Sequence, residues 1–223
     1  MLCLIPARGG SKRLPRKNLQ EIAGKPLLAY TVEAALGSGL FRTVDVSTED
    51  DEIAQLARAY GARVPYRRPA ALATDAVSRM EVLFHHLEVI GPVPDDEIVV
   101  VLQVTCPFCG AGDIAAAVQR YEASGADTLV TVTDFPHPPQ WALREDHEFL
   151  VRAWPETPMR RSQEMERLYC PSGAIQIGRV GVVRQQGTFY GPRCAGFYMP
   201  REKSLDIDEE LDLRIARALM KGS

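Results

Sequence analysis

Two carboxylates near the end of the chain have the spacing of a metal site. Asp206 and Asp208 lie two residues apart in the sequence SLDID, and on an extended segment such side chains point to the same side. Mg²⁺ in proteins is held by one or two carboxylates together with substrate phosphates and water. Asp208 could instead cap a helix predicted over 209–221, a role that does not explain Asp206. The sequence therefore predicts magnesium at this pair and leaves the capping role of Asp208 open.

The start of the chain has the composition of an anion-binding loop. Residues 2–5 form an apolar run that predicts a buried strand, and the loop after it contains Gly9, Gly10 and a group of cations, namely Arg8, Lys12, Arg13, Arg16 and Lys17. Glycines let backbone N–H groups approach an anion, and the cations suit a di- or triphosphate. The spacing matches neither the P-loop nor the dinucleotide fingerprint. A solvated basic turn is the alternative. A cluster of cations is less expected by chance in a chain with a net charge of −3, which favours the anion-binding loop.

Length and composition limit the possible classes. The 223 residues are enough for one domain with a full core, and 46% hydrophobic with 25% charged residues is ordinary for a globular protein. A net charge of −3 indicates no general affinity for nucleic acid or membranes. The chain has no apolar stretch of membrane-spanning length and no signal-peptide core, so a cytoplasmic location is predicted.

Strand and helix patterns alternate along most of the chain. Predicted strands cover 2–5, 43–47, 63–66, 98–102, 128–133, 174–177 and 194–199, and predicted helices begin near 25 and 49 and cover 76–90, 113–124 and 209–221. Ser47 or Thr48 is predicted to cap the second helix, and Thr74 or Asp75 the third. The alternation predicts an α/β fold with a largely parallel sheet flanked by helices. Residues 134–171 interrupt it, and we predict that they are an insertion in a single domain spanning 1–223.

Two further loops follow predicted strands, where ligands bind in open α/β sheets. One covers 67–78 and the other begins at Gln103. The second contains Cys106 and Cys109, whose Cys-x-x-Cys spacing raises the alternative of a redox protein. A zinc site would need two more ligands that the spacing does not supply. The odd total of five cysteines argues against a disulfide framework.

Residues 5–18, IPARGGSKRLPRKN, resemble the start of the CMP-sialic acid synthetase (acylneuraminate cytidylyltransferase) family, and the resemblance extends over nearly the whole chain. It implies the three-layer fold of nucleotide-diphospho-sugar transferases. It also implies Mg²⁺-dependent joining of CMP, from CTP, to an acidic nine-carbon sugar such as an N-acylneuraminate or legionaminate. Segment 134–171 would then mediate homodimerisation. Another sugar nucleotidyltransferase, such as a CMP-Kdo synthetase, and an inactive nucleotide-binding subunit remain the alternatives.

The resemblance also implies roles for particular residues. Catalytic roles fall on Arg8, Lys17, Asp206 and Asp208, the last two as metal ligands. The nucleotide side comprises Ala7, Arg8, Gly9, Gly10, Ser11, Lys17, Asn18, Arg68, Asp75 and Ser78. The sugar side comprises Gln103, Thr105, Arg161, Gln163, Ser172, Gly173, Phe189 and Tyr190. The chain departs from the family where Ser162 and Cys109 replace arginines, Ser172 replaces an asparagine and Cys106 replaces a serine.

Overall fold

The computed structural model describes residues 1–221. Its strands are β1 (Leu2–Pro6), β2 (Glu21–Ile22), β3 (Lys25–Pro26), β4 (Thr43–Ser47), β5 (Ile98–Leu102), β6 (Thr128–Asp134), β7 (Leu143–Asp146), β8 (Phe149–Arg152), β9 (Tyr169–Arg179) and β10 (Cys194–Tyr198). Its α-helices are α1 (Leu27–Gly37), α2 (Asp51–Ala59), α3 (Arg79–Val89), α4 (Ala111–Ser124), α5 (Val180–Gln186) and α6 (Glu210–Lys221). None of these helices is both long and apolar enough to cross a membrane.

A six-stranded sheet in the order β10-β6-β9-β5-β1-β4 forms the centre of the molecule. β1 is parallel to β4 and β5, and β10 is parallel to β6. β9 runs antiparallel between β5 and β6. Because β5 and β6 are both antiparallel to β9, the other five strands of this sheet run in the same direction. Their carboxyl ends therefore lie at one edge of the sheet. The predicted largely parallel α/β sheet is confirmed.

Alternating side chains of the sheet build two apolar layers. Along β1, Cys3 and Ile5 belong to the core shared with α1, α2, α4 and α6, whereas Leu2 and Leu4 belong to the core shared with α3 and α5. This period of two is what a strand buried on both faces requires. Helices therefore cover both faces, and the predicted three-layer arrangement is confirmed.

Several local predictions were wrong. Residues 63–66 form no strand, only isolated bridges from Arg63 to Asp45 and from Arg67 to Thr48. Helix α5 and the β7-β8 hairpin were missed, because short segments give too little periodicity to be recognised. β9 begins at Tyr169 rather than at Ala174.

The predicted helix caps were also wrong. The Asp50 carboxylate, not Ser47 or Thr48, caps α2 by accepting hydrogen bonds from the backbone N–H groups of Glu52 and Ile53 at 3.0 Å each. Ser78, not Thr74 or Asp75, caps α3 and forms a capping box with Glu81. Candidate caps cluster at both places, and which one is used depends on where the chain turns into the helix.

The irregular stretch between β6 and β9 carries the β7-β8 hairpin and short 3₁₀ turns. We call residues 135–168 the arm. Its exposed apolar side chains include Leu143, Phe149, Leu150, Trp154 and Met159. A cavity of about 470 Å³ within it is lined both by apolar residues such as Trp154 and Leu168 and by charged residues such as Arg160 and Glu164. Its lining residues are different from those of the pocket at the ends of β1 and β5.

Candidate active site

A pocket of about 160 Å³ lies at the carboxyl ends of β1 and β5. It brings together groups from the opening loop, from the start of α3 and from the segment after β5, namely Pro6, Arg8, Gly10, Ser11, Lys17, Asn18, Arg79, Leu102, Gln103, Val104 and Thr105. Parallel strands end together at this edge, which explains how residues so far apart in sequence meet. We take this pocket as the candidate active site.

Asp206 is fixed at this pocket by two side chains of the β5 loop. Its Oδ2 atom accepts a hydrogen bond from Gln103 Nε2 at 2.8 Å, and its Oδ1 atom accepts one from the Thr105 hydroxyl. The backbone N–H of Ile207 donates to Thr105 O at 2.8 Å, which pins the segment against the loop. Burial raises the pKa of Asp206 although both hydrogen bonds favour its ionised form. The carboxylate is positioned by neutral donors and has no capping role.

Asp208 is held by cations of the opening loop. Its Oδ1 atom lies 2.8 Å from Lys17 Nζ and its Oδ2 atom 2.7 Å from Arg13 Nη2. Burial opposes ionisation, but these contacts lower the pKa of Asp208 below its usual value. The side chain of Asp212, rather than that of Asp208, accepts the backbone N–H groups of Asp208 and Glu209 at the start of α6. The alternative of Asp208 as a helix cap is thus not what the structure shows.

The two carboxylates fit a hard divalent cation that a substrate would help to coordinate. Asp206 contacts Gln103 and Thr105, and Asp208 contacts Lys17, and all three partners line the same pocket. Residues 1–221 contain no cluster of three or more His, Cys, Asp or Glu side chains arranged as a complete metal site. Two protein carboxylates with the remaining ligands from phosphate and water is the arrangement typical of Mg²⁺.

Every predicted phosphate-binding cation of the opening loop is paired with a carboxylate. The pairs are Arg8 and Lys12 with Asp75, Arg13 and Lys17 with Asp208, and Arg16 with Asp50 and Glu52. The hydrogen bonds from Lys12 and Arg8 lower the pKa of Asp75. The cations predicted to meet an anion are therefore already oriented, and the carboxylates of Asp75 and Asp208 share the site with them.

The backbone N–H of Gly9 is already hydrogen-bonded within the chain. It donates to Glu49 Oε1 at 2.7 Å, so it is not directed into the pocket. A Cβ atom at Gly9 would lie 2.5 Å from Asp50 Oδ2, which explains the need for glycine at this close approach. Glu49 Oε2 accepts from the buried Arg68 guanidinium at 3.0 Å. Glu49 thus joins the opening loop to Arg68, while phosphate contacts by Gly9 and Arg68 stay predictions.

Other nucleotide-side residues also stabilise the loop. The Asn18 side-chain amide donates to Arg8 O at 2.8 Å, and the backbone N–H of Ala7 donates to Ser47 O at 2.9 Å. The hydroxyl of Ser11 accepts the backbone N–H of Leu14 at 3.4 Å. Ser78 is exposed and uses its hydroxyl in the capping box. Their predicted contacts with a nucleotide remain predictions.

On the other side of the pocket, Gln103 is oriented by Arg79. The Arg79 guanidinium donates to Gln103 Oε1 and, at 3.4 Å, to Gly173 O. With its oxygen turned towards Arg79, Gln103 presents its Nε2 atom to Asp206 at 2.8 Å and to the Thr105 hydroxyl at 2.7 Å. Gly173 has a φ of +73°, and a Cβ atom there would lie 2.8 Å from Gln103 Oε1. Glycine is therefore required for this contact.

The remaining sugar-side residues do not meet at the pocket. The Ser172 hydroxyl is buried and donates to the Thr131 hydroxyl at 2.8 Å. Arg161 and Gln163 are exposed on the arm. Their roles in sugar binding remain predictions.

Phe189 and Tyr190 lie at the far end of the sheet from the pocket. Phe189 is 1% exposed in the core shared with α3 and α5, and its carbonyl accepts from Thr128 at the first residue of β6. Tyr190 is 53% exposed. The structure does not bring the pair to the pocket, and their role as walls for the sugar stays a prediction.

The Cys-x-x-Cys motif lacks the features of a redox pair. Cys106 and Cys109 are free thiols, both buried. Burial raises the pKa of Cys106 well above its ordinary value and that of Cys109 to about 12. Reactive cysteines are partly exposed and have lowered pKa values, because the thiolate is the nucleophile. The environment of the motif argues against the redox alternative.

Glu49 and Arg79 are the site residues that sequence reasoning missed. Arg79 directly follows the serine that caps α3, and Glu49 precedes the acidic first turn of α2. Both therefore have the appearance of ordinary charged residues at helix starts. A signal was available for Arg79 only, since it lies one residue beyond a loop already predicted to reach the site.

Comparisons with known proteins identify the family that this chain resembles. Residues 2–149 match the family model described as cytidylyltransferase. A pseudaminic acid cytidylyltransferase of Campylobacter jejuni subsp. jejuni serotype O:2 is 34% identical, with 99% of this chain and 96% of that protein covered. An N-acylneuraminate cytidylyltransferase of Streptococcus agalactiae serotype III is 32% identical, with 95% of this chain but 51% of that protein covered.

Among solved structures, this chain is similar to a CMP:2-keto-3-deoxy-manno-octonic acid synthetase complexed with CTP. The TM-score is 0.69, with 99% of this chain and 98% of the other covered. At 21% sequence identity, the likeness establishes a shared fold.

Proposed function

Because the chain belongs to the cytidylyltransferase family, as its motifs predicted, we propose that it activates an acidic nine-carbon sugar with CTP. The products are the CMP-sugar and pyrophosphate. The observation that carries the proposal is the convergence of Asp206, Asp208 and Lys17 at the carboxyl edge of β1 and β5. Full-length similarity to a pseudaminic acid cytidylyltransferase supports the nine-carbon class of sugar.

In the proposed reaction, the anomeric hydroxyl oxygen of the sugar bonds to the α-phosphorus of CTP. The bond from that phosphorus to the bridging oxygen breaks, pyrophosphate leaves with the electron pair, and the hydroxyl proton passes to solvent water. Such transfers depend mainly on positioning and charge stabilisation. Arg8 and Lys17 would offset the charge of the triphosphate, and Gln103 would orient Asp206 from the sugar side of the pocket.

We propose that Asp206 and Asp208 hold Mg²⁺ in the loaded enzyme. The metal would supply electrostatic polarisation of the phosphate oxygens. In the ligand-free chain Lys17 and Arg13 neutralise Asp208. When Mg²⁺ replaces Lys17 at Asp208, the Lys17 ammonium would become available to the triphosphate. Both the carboxylate and the ammonium would then have a new partner of opposite charge.

The decisive assay is release of pyrophosphate from CTP with a panel of sugars, comprising pseudaminate, legionaminate, N-acetylneuraminate and Kdo. We expect release with at least one nine-carbon acid, none without sugar, loss on adding EDTA and recovery with excess Mg²⁺. Release with Kdo alone would favour the CMP-Kdo alternative, to which only the shared fold points. An absence of release with every sugar would contradict the proposed function.

The matching variant is Asp206→Asn, which keeps the shape of the side chain and removes its charge. We expect kcat to fall about 10²-fold, the scale for losing one strong electrostatic contact in a transition state. The melting temperature should not fall, because burial already raises the pKa of Asp206 and an amide can still pair with Gln103 and Thr105. Near-normal turnover would refute the metal role of Asp206.

We also propose that the chain is a homodimer joined through the arm. Phe149 is 73% exposed and Leu150 67% exposed at one end of the β7-β8 hairpin, and apolar side chains of this size at a surface mark interaction sites. Light scattering coupled to gel filtration tests this, with Phe149→Ser/Leu150→Ser expected to yield monomers. A monomeric wild type would contradict it. The cytoplasmic location predicted from sequence stays a prediction.

A further inference from the structure

Arg79 differs from the other cations of the pocket in having no anionic partner. Within residues 1–221 its guanidinium has no carboxylate ion-pair partner, and its hydrogen bonds go to Gln103 Oε1 and Gly173 O, both neutral. Arg8 and Lys17, by contrast, are paired with Asp75 and Asp208. Arg79 is half-buried and lines the pocket. A positive charge held in a pocket by neutral oxygens is an unsatisfied anion-binding group.

The Arg79 guanidinium contacts residues of β9 and of the segment after β5. The opening loop follows β1, and it carries the cations suited to phosphates. Arg79 reaches Gly173, on β9, and Gln103, which follows β5. β5 lies between β1 and β9 in the sheet. The pocket therefore has cations from the loop after β1 and a further cation that contacts β9, and Gln103 joins this second cation to Asp206.

The guanidinium is fixed before any ligand binds. Its contact with Gln103 depends on Gly173, where a Cβ atom would lie 2.8 Å from Gln103 Oε1 and 3.7 Å from the Arg79 guanidinium. Two acceptors hold the planar group, and the N–H groups that they do not use remain for an anion. A preoriented arginine fork suits a carboxylate, which it can bind through two parallel hydrogen bonds.

We propose that Arg79 binds the carboxylate of the acidic sugar and so selects acids over neutral sugars. The inference rests on the proposed function. Arg79 supplies this cation from the first residue of α3. Binding there places the sugar next to Asp206, through Gln103.

The test compares the best sugar of the panel with its methyl ester, which lacks the negative charge. Pyrophosphate release is measured for the wild type, Arg79→Met, Arg79→Lys and the control Lys12→Met. Lys12 is also a cation near the pocket, but it is 87% exposed and paired with Asp75. We expect Arg79→Met to raise KM for the acid about 10- to 100-fold, the size of one charge-assisted contact. KM for CTP should change less than about twofold, since we propose that the cations of the opening loop, and not Arg79, bind the phosphates.

The ratio of kcat/KM for acid over ester should fall towards one in Arg79→Met, be intermediate in Arg79→Lys and be unchanged in Lys12→Met. An unchanged acid preference in Arg79→Met, or an equal rise of KM for CTP, would overturn the proposal. A fall in kcat shared equally by acid and ester would also overturn it, leaving Arg79 as a residue that only positions Gln103. If the ester is inert with every variant, the proposal is tested by whether Arg79→Met raises KM for the acid more than KM for CTP. A wild type inactive with all sugars contradicts the proposed function instead.

Discussion

Glu49 should be among the most sensitive positions outside the pocket. Its two carboxylate oxygens accept from the Gly9 backbone N–H at 2.7 Å and from the Arg68 guanidinium at 3.0 Å. The Arg68 side chain is 3% exposed, and burial lowers the pKa of Arg68 against the opposing effect of Glu49. Glu49→Gln keeps an acceptor for Gly9 but removes the only carboxylate within residues 1–221 that forms an ion pair with this buried arginine.

The size of the effect follows from the burial of the pair. Removing one partner of a buried ion pair costs about 3–5 kcal/mol, because the other charge is left uncompensated. For a chain of 223 residues, each kcal/mol corresponds to a shift of roughly 2–4 °C in melting temperature. We therefore expect Glu49→Gln to melt about 6–20 °C below the wild type. Glu52→Gln is the matched control, because Glu52 is also paired with an arginine but is 70% exposed, and such pairs contribute about 0–1 kcal/mol.

Calorimetry at pH 7 on the wild type, both single variants and Glu49→Gln/Arg68→Met measures this directly. The double variant should recover much of the lost stability, since an apolar replacement of a buried ion pair is often neutral. Equal melting temperatures for Glu49→Gln and Glu52→Gln would refute the reasoning. So would a double variant less stable than Glu49→Gln alone, because Arg68 would then be stabilising for reasons other than its charge.

Two further predictions concern buried groups away from the pocket chemistry. Cys106→Ser should keep turnover within about twofold of the wild type, since the buried Cys106 thiol has a raised pKa and thiolate chemistry needs a lowered one. Loss of most activity, or a reducible Cys106–Cys109 bond coupled to turnover, would support the redox alternative. His86 has its pKa lowered to about 4 by burial, with His85 and Arg63 contributing, so the unfolded chain binds a proton there that the fold excludes. The free energy of unfolding should therefore fall as pH drops from 6.5 towards 4, by about 1.5 kcal/mol between pH 6.5 and 5. Urea unfolding of His86→Gln at both pH values should show that this part of the loss has disappeared. Glutamine can keep a polar contact with the buried Asp45, whose Oδ2 atom lies 3.6 Å from His86 Nε2.

The sequence predicted best what depends on strong local patterns. The apolar runs at 2–5 and 98–102 became neighbouring central strands, since β-branched and aliphatic runs bounded by turns have few other uses. The spacing of Asp206 and Asp208 predicted that their carboxylates lie on one side, and both contact residues that line the pocket. The choice of cap for α3 failed because the loop at 74–78 offers several polar residues, and only the path of the chain selects Ser78.

Contacts between distant segments could not be predicted in the same way. The role of Glu49 depends on Arg68, and that of Arg79 depends on Gln103 and Gly173, through the order of strands in the sheet. No spacing rule relates these positions. For Phe189, the resemblance to a family motif predicted a place at the pocket that the structure does not show. Its side chain lies in the core, next to the first residue of β6.

The ion pairs of the opening loop explain how so many cations can coexist at one site. Unpaired, they would repel one another and disfavour the compact loop. The pairs with Asp75 are largely exposed, and exposed ion pairs contribute only about 0–1 kcal/mol, so a triphosphate can replace that carboxylate at little cost. The pair of Lys17 with Asp208 is less exposed, so separating the two side chains requires a new partner for each charge. A triphosphate for Lys17 and a metal for Asp208 would satisfy both, so we expect nucleotide and metal to bind more tightly together than either binds alone.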